Sequence, residues 1–182
     1  MGRPRSNNKW SIDNNIALTI LKHGGTCVDI KDLDKVKDFK WFTKKSYKSN
    51  NYYVYSHLTG NKKLLLHRFL LNITDSKLCV DHINGDTLDN RRCNLRIATK
   101  GENNRNAKKN KRGKTLYKGV IIRPSGRYGV YIQYNNKPLC LGTYDDIKTA
   151  AEVYNKKAKE IFGEFARLNK IGDKDENLHT NE

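Results

Sequence analysis

Residues 78–103 constrain the fold of this 182-residue chain more tightly than any other stretch. Leu78-Cys79-Val80 reads as a strand running into Asp81-His82, and Asn84-Gly85-Asp86 turns the chain. Leu95-Arg96-Ile97-Ala98 can return as the partner strand. Thr99 with Glu102 three residues on is a capping box, so a helix starts there with Asn103 in its first turn. Strand, loop, strand and helix in so short a span bring Asp81, His82, Asn94 and Asn103 towards one another.

That set has a chemistry. Asp81 and Asn103 offer oxygen ligands, and a hard divalent ion such as Mg2+ binds through one or two protein oxygens plus water and phosphate. His82 can deprotonate a water near neutral pH. Asn94 can hold the imidazole through its amide oxygen or brace the loop. Taken singly, each residue has a plainer reading: Asp-His is a turn, and Asn94 and Asn103 are loop and helix caps. Their joint order points to phosphodiester hydrolysis.

Charge supplies the substrate class. Lysine plus arginine number 36 against 19 acidic residues, a net charge of +17. Every segment except the tail after Asn169 is net basic, so the surplus is not confined to one arm. Ten tyrosines accompany the lysines, too many aromatics for a purely disordered polycation. Nucleic acid fits this balance better than a membrane surface, because no basic amphipathic helix stands out. No apolar run is long enough to span a membrane, and the N-terminus lacks the apolar stretch of a signal peptide. The four cysteines, Cys27, Cys79, Cys93 and Cys140, form no close pair and read as reduced thiols of an intracellular protein.

The rest of the chain divides around this centre. Residues 1–25 read as a flexible basic arm, with Gly2-Arg3-Pro4-Arg5 suited to a minor groove. Residues 26–63 form a small α+β leader unit. In it, Thr26–Ile30 is a strand and Lys31–Phe39 a short helix, the strands Trp41-Phe42 and Tyr52–Tyr55 follow, and a further strand, Leu64–His67, opens the next segment. Residues 64–106 are the catalytic domain and 107–116 a basic linker. In residues 117–169, Tyr128, Val130, Ile132 and Tyr134 alternate against Gly129, Tyr131 and Gln133. Ile147, Ala150, Ala151, Tyr154, Ala158 and Ile161 then recur at helical spacing between an Asp146 N-cap and a Gly163 stop. Three antiparallel strands backed by one helix leave the other sheet face for a ligand. Residues 170–182 are a polar tail.

Residues 64–106 resemble the HNH nuclease motif in its ββα-metal fold, in the form found in bacteriophage homing endonucleases. The resemblance rests on Leu66-His67-Arg68, Asp81-His82, Asp89-Asn90, Asn94-Leu95-Arg96 and Glu102-Asn103. It implies that His82 is the general base, that Asp81 and Asn103 hold the metal, and that Asn94 is the central asparagine supporting the site. The third motif position is asparagine here instead of a second histidine. His67 recurs in the family's leading strand, and a structural hydrogen bond and a phosphate contact are both open to it. Cys79 and Cys93 are too few for the zinc site of other branches.

Residues 117–169 resemble the APETALA-type (ethylene-response-factor) DNA-binding domain, through Tyr117-Lys118-Gly119-Val120, Arg123-Pro124, Leu141-Gly142-Thr143-Tyr144, Ala150-Ala151-x-x-Tyr154 and Leu168-Asn169. The resemblance implies a sheet in the major groove with Lys118, Ile121, Arg123, Ser125, Tyr131, Gln133 and Cys140 facing DNA. Gln133 can read an adenine edge, and Arg123 or Arg127 a guanine or a phosphate. Several of these positions are arginine or tryptophan in the plant proteins, so no target sequence transfers.

The expected architecture is therefore α+β: a small α+β unit, a ββα-metal nuclease fold, and a three-stranded antiparallel sheet on one helix. The expected function is a metal-dependent DNA endonuclease using Mg2+ or Mn2+. It would nick duplex DNA as a monomer or homodimer inside a cell, in the host cytoplasm if phage-encoded. The alternative is a catalytically inactive, sequence-specific DNA-binding regulator that keeps the fold without turnover. An RNA-binding protein is a third reading.

Overall fold

The alternation in Ile16-Ala17-Leu18-Thr19-Ile20-Leu21 builds a strand whose Ala17, Thr19 and Leu21 are buried while Leu18 and Ile20 face out. In this computed structural model, which describes residues 8–47, 49–106, 115–135 and 137–172, that strand is the centre of the first sheet. Strands β1 (Trp10–Asp13), β2 (Ile16–Leu21) and β3 (Gly24–Asp29) pair antiparallel in that order. Asn14, at φ 52°, turns the first hairpin, a conformation that asparagine tolerates. The arm expected over residues 1–25 is thus corrected from Trp10 onward. Its apolar positions have a core to seal, and Arg3 and Arg5 lie outside the described residues.

A 3-10 turn (Ile30–Asp32) and the short helix α1 (Leu33–Val36) follow, briefer than the expected Lys31–Phe39 helix. Strands β4 (Trp41–Lys45), β5 (Tyr52–His57) and β6 (Lys63–Leu65) make a second antiparallel sheet. Helix α2 (Leu66–Leu70) comes next. The expected strand Leu64–His67 therefore ends early. Leu66 and Leu70, one helical turn apart, both enter the core at 0% and 1% exposure, and His67 rides on the same helix. Strands β7 (Leu78–His82) and β8 (Leu95–Thr99) pair antiparallel, and helix α3 (Lys100–Arg105) starts at the predicted capping box. Thr99 N–H donates to Glu102 Oε2 at 2.7 Å, and Glu102 N–H donates back to Thr99 Oγ1 at 3.3 Å.

One core joins β2, β3, α1, β4, β5, α2, β7 and β8. Ala17, Leu21, Val28, Val36, Trp41, Val54, Leu66, Leu70, Val80 and Leu95 form a single buried cluster. Burying each of its larger side chains contributes about 1.5–3 kcal/mol. Trp41 keeps its polar atom satisfied by donating to Val36 O at 2.8 Å. The chain divides into two compact units, 1–103 and 104–182. The leader expected at 26–63 and the catalytic segment starting at 64 accordingly share one unit, because Val28, Trp41 and Val54 pack into the same cluster as Leu66, Val80 and Leu95.

In the second unit, strands β9 (Val120–Ile122), β10 (Tyr128–Tyr134) and β11 (Lys137–Tyr144) form an antiparallel sheet with β10 central. Helix α4 (Ile147–Phe162) packs on it through Ala150, Ala151, Tyr154 and Ala158. Asp146 caps α4 by accepting Thr149 N–H at 2.6 Å, and Gly163 ends it at φ 53°. Of the expected linker 107–116, residues 107–114 lie outside the described residues, as do 173–182 of the tail. Thr115 and Tyr117 are buried at 3% and 2% exposure, so the second unit begins before the expected position 117. Among the described residues no helix is long and apolar enough to cross a membrane.

Candidate active site

The register of the β7–β8 hairpin sets the geometry. Asp81 lies opposite Arg96 and His82 opposite Leu95, at the end where the two strands part into the loop 83–94. Gly85, at φ 75°, turns the chain and donates its N–H to His82 O at 2.8 Å. Asn94 then closes the loop from three sides. Its Oδ1 accepts Asn84 N–H at 2.9 Å, its Nδ2 donates to Asp89 O at 2.8 Å, and its carbonyl accepts Ile83 N–H at 2.9 Å. Of the two roles open to Asn94, bracing the loop is the one observed.

The imidazole of His82, 5% exposed, is instead met by Asn90, whose Oδ1 lies 3.4 Å from Nε2. Burial pushes the His82 ring below its ordinary pKa, against opposing pulls from Asn90, Asp81, Asp86 and Asp89. His82 is thereby a neutral ring able to accept a proton. His67, on α2, packs edge-on against it with ring centres 5.3 Å apart, and Tyr53 contacts both rings. Burial chiefly, with repulsion from Arg68 and from His82 when that ring is protonated, drives His67 down to about 3. Its Nδ1 is buried without a hydrogen-bond partner. Arg68, its neighbour in the motif, holds the entry to β7 by donating to Leu78 O and Asp75 O, each at 2.7 Å.

Asp81 is 4% exposed and pairs with Arg96, which reaches Oδ2 from Nε at 2.8 Å and from Nη2 at 2.6 Å. Asn103 lies half-buried on α3, which begins at the far end of the hairpin, where Thr99 faces Leu78. Asp81, His82 and Asn94 are therefore assembled by the hairpin, whereas no hydrogen bond joins Asn103 to them among the described residues. Among those residues no group of three or more His, Cys, Asp or Glu is arranged to hold a metal. One carboxylate and one amide oxygen nevertheless suit a hard cation such as Mg2+, which retains several waters and takes phosphate oxygens from a substrate.

The loop is anchored to the first sheet. Asn90 N–H donates to Cys27 O at 2.9 Å, and Arg92 N–H donates to Asp29 Oδ2 at 2.7 Å. The Arg92 guanidinium grips the buried Asp32 at 2.6 and 2.8 Å. Asp89, held at about 2 chiefly by its two bonds from Arg91, also accepts Asn84 Nδ2 at 3.1 Å. Asn90 stands inside the Asp89-Asn90 motif, but its partners lie 64 residues away on β3, and no local pattern predicts them.

The outer face of β4–β6 continues from the site. Tyr53 and Tyr55 lie on it, with Phe42 opposite Tyr55. Lys40 sits 5.6 Å over Phe42, Lys63 5.0 Å over Tyr55, and Lys44 4.7 Å over Tyr47. In the second unit, Arg123 stacks 5.6 Å over Tyr131 and bonds its hydroxyl, while Ile121, Gln133 and Cys140 are exposed. Arg127 is engaged with Asp145 at 2.6 and 3.1 Å. Lys118, expected to face DNA, donates its ammonium to Arg105 O at 2.7 Å, and burial pulls it down to about 8.

Comparison with known proteins places this geometry. The profile of a family described as HNH endonuclease matches residues 74–105, the stretch that holds β7, the loop and β8. The chain is also similar to an uncharacterized HNH endonuclease of Acanthamoeba polyphaga mimivirus, with 33% identity over 175 residues, 88% of this chain and 84% of that protein. No solved structure matches the chain. A similarity of this extent, with the family profile falling on the hairpin that carries Asp81, His82 and Asn94, shows that the chain belongs to the HNH endonuclease family.

Proposed function

We propose that this nuclease is a metal-dependent DNA endonuclease in which His82 is the general base. The observation behind this reading is a buried, neutral imidazole at the end of β7, next to a buried carboxylate. His82 would take the proton of an attacking water as it approaches a backbone phosphate. Asp81 and Asn103 are the residues that would hold Mg2+ or Mn2+. Such an ion, when bound, stabilises charge on the phosphate and on the departing 3′-oxygen. Arg96 holds the Asp81 carboxylate in place through its two hydrogen bonds, and Asn94 keeps the loop from spreading. The products are a 5′-phosphate and a 3′-hydroxyl.

The +17 charge supports duplex DNA as the substrate. The outer face of β9–β11, with Gln133 exposed and Arg123 stacked on Tyr131, is our proposed DNA-binding surface, following the APETALA-type resemblance. Arg127 would serve there only by leaving Asp145, and Lys118 through its position beside the sheet. One site per chain implies nicking by a monomer.

The test is supercoiled plasmid with Mg2+, beside EDTA and His82→Ala. Open circle that is lost in both controls while DNA binding persists is the expected outcome, with His82→Ala slower by about 10²–10⁴-fold. Linear product formed directly points to paired sites. Binding without any cleavage, across a library of target sequences, would replace the enzyme by the regulator.

A further inference from the structure

The first sheet does more than close the core: Thr26, on its edge strand β3, is 1% exposed and hydrogen-bonds the residue that faces His82. The bonding admits one assignment of hydrogens. A threonine hydroxyl has a single proton, and Thr26 Oγ1 donates it to Leu88 O at 2.7 Å. Toward Asn90 the hydroxyl can therefore only accept, so the atom 2.9 Å away must be the amide nitrogen Nδ2. The same Nδ2 also donates to Leu88 O at 3.2 Å, which accounts for both of its hydrogens. The side-chain oxygen of Asn90 is left pointing at His82 Nε2. An amide oxygen only accepts, so Nε2 carries the proton of the neutral ring and Nδ1 carries the lone pair.

Turning the amide over would set its oxygen against Thr26 Oγ1 and its NH2 against His82. The hydroxyl proton would then have to abandon Leu88 O, and two of the three bonds would be lost in a buried place. The main chain gives the amide no room to move away, since Asn90 N–H is bonded to Cys27 O and Cys27 N–H to Leu88 O.

We propose that Thr26 is a positioning residue that, through Asn90, fixes the ring orientation and tautomer of His82, presenting Nδ1 as the basic nitrogen. The proposal rests on the reading of His82 as the base only for its effect on rate; the tautomer itself is independent of that reading. The consequence is that a strand more than fifty residues before Asp81 and His82 belongs to the catalytic apparatus, in the way that an orienting group behind a base does.

Nitrogen-15 NMR of the histidine side chains in the metal-free full chain tests this directly, because protonated and unprotonated ring nitrogens resonate far apart. His82→Gln identifies the His82 signals among the five histidines. In the wild type, His82 is expected as the pure Nε2–H tautomer; an Nδ1–H tautomer there overturns the proposal whether or not any variant folds. Thr26→Val, nearly the same shape without the hydroxyl, is expected to give a mixture of tautomers. It should also lower kcat for plasmid nicking about tenfold at unchanged KM, while Thr26→Ser restores both. A Thr26→Val protein that keeps the pure Nε2–H signal, or a Thr26→Ser protein as impaired as Thr26→Val, sinks the proposal. If the tautomer shifts in Thr26→Val but wild-type protein cuts no DNA, the relay stands and the reading of His82 as the base is what fails.

Discussion

Among the described residues, Asp81 and Arg96 form the most enclosed ion pair at the site. Their side chains are 5% and 11% accessible, so neither charge has water to fall back on. Replacing Arg96 by Met removes both of its hydrogen bonds to a buried carboxylate and is expected to cost about 3–5 kcal/mol. Because Asp81 is also the proposed metal ligand, Mg2+ should raise the Tm of that variant more than the Tm of the wild type; thermal denaturation with and without Mg2+ measures both effects. His67 makes a second prediction. In the folded chain it is held at about 3 against an ordinary 6.5, so below 6.5 the unfolded chain binds a proton that the folded one refuses. Its contribution to stability is complete above pH 6.5 and is lost progressively as pH falls from there toward 3. Urea unfolding midpoints should drop across that window, and less steeply in His67→Phe. Both residues are visible in the motif as residues. Their partners are not, because Arg96 is selected by strand register and the surroundings of His67 by the packing of α2 against β5 and β7.

Elements were legible to the degree that their signals were local. The turn at Asn84–Asp86, the capping box at Thr99 and the α4 face from Ala150 to Ala158 all depend on residues within a few positions of each other, and all three form. The strand read over Leu64–His67 fails at its end, since a short apolar run fits either a buried strand or a buried helical turn. In the first sheet, β3 overlaps the strand read over Thr26–Ile30, whereas β1 and β2 fall within the expected arm because they gain their stability from a distant core. Gly119 shows how strictly an element is fixed once packed. At φ 78°, an added Cβ would lie 2.1 Å from Tyr154 Cδ2 and 2.6 Å from Tyr131 O. Gly119→Ala therefore combines backbone strain with overpacking, and should destabilise the second unit by about 3 kcal/mol or more. Hydrogen exchange resolved by segment would place that loss in β9–β11 and α4.

For the whole molecule, charge sets the affinity expected for DNA. If about six basic residues contact phosphates, affinity falls by about three decades between 50 and 200 mM salt. Lys40 and Lys63, over rings of the β4–β6 face that leads to Tyr53 and His82, and Lys44 on β4, over Tyr47, are counted among them. Their joint replacement by alanine should flatten the log–log salt slope by nearly three, at about 0.9 per contact; binding titrations over a salt series measure it, and an unchanged slope removes this face from the DNA path. The sequence by itself determined the basic character, the hairpin with Asp81 and His82 at its mouth, the helix caps and the α+β class, because turns, caps and alternation are properties of neighbouring residues. Only the tertiary structure decided that residues 10–63 share a core with the motif, that Asn90 rather than Asn94 meets His82, and that Arg96 meets Asp81. Those pairings join residues by burial, and a buried polar group takes whichever partner the packed core leaves within reach.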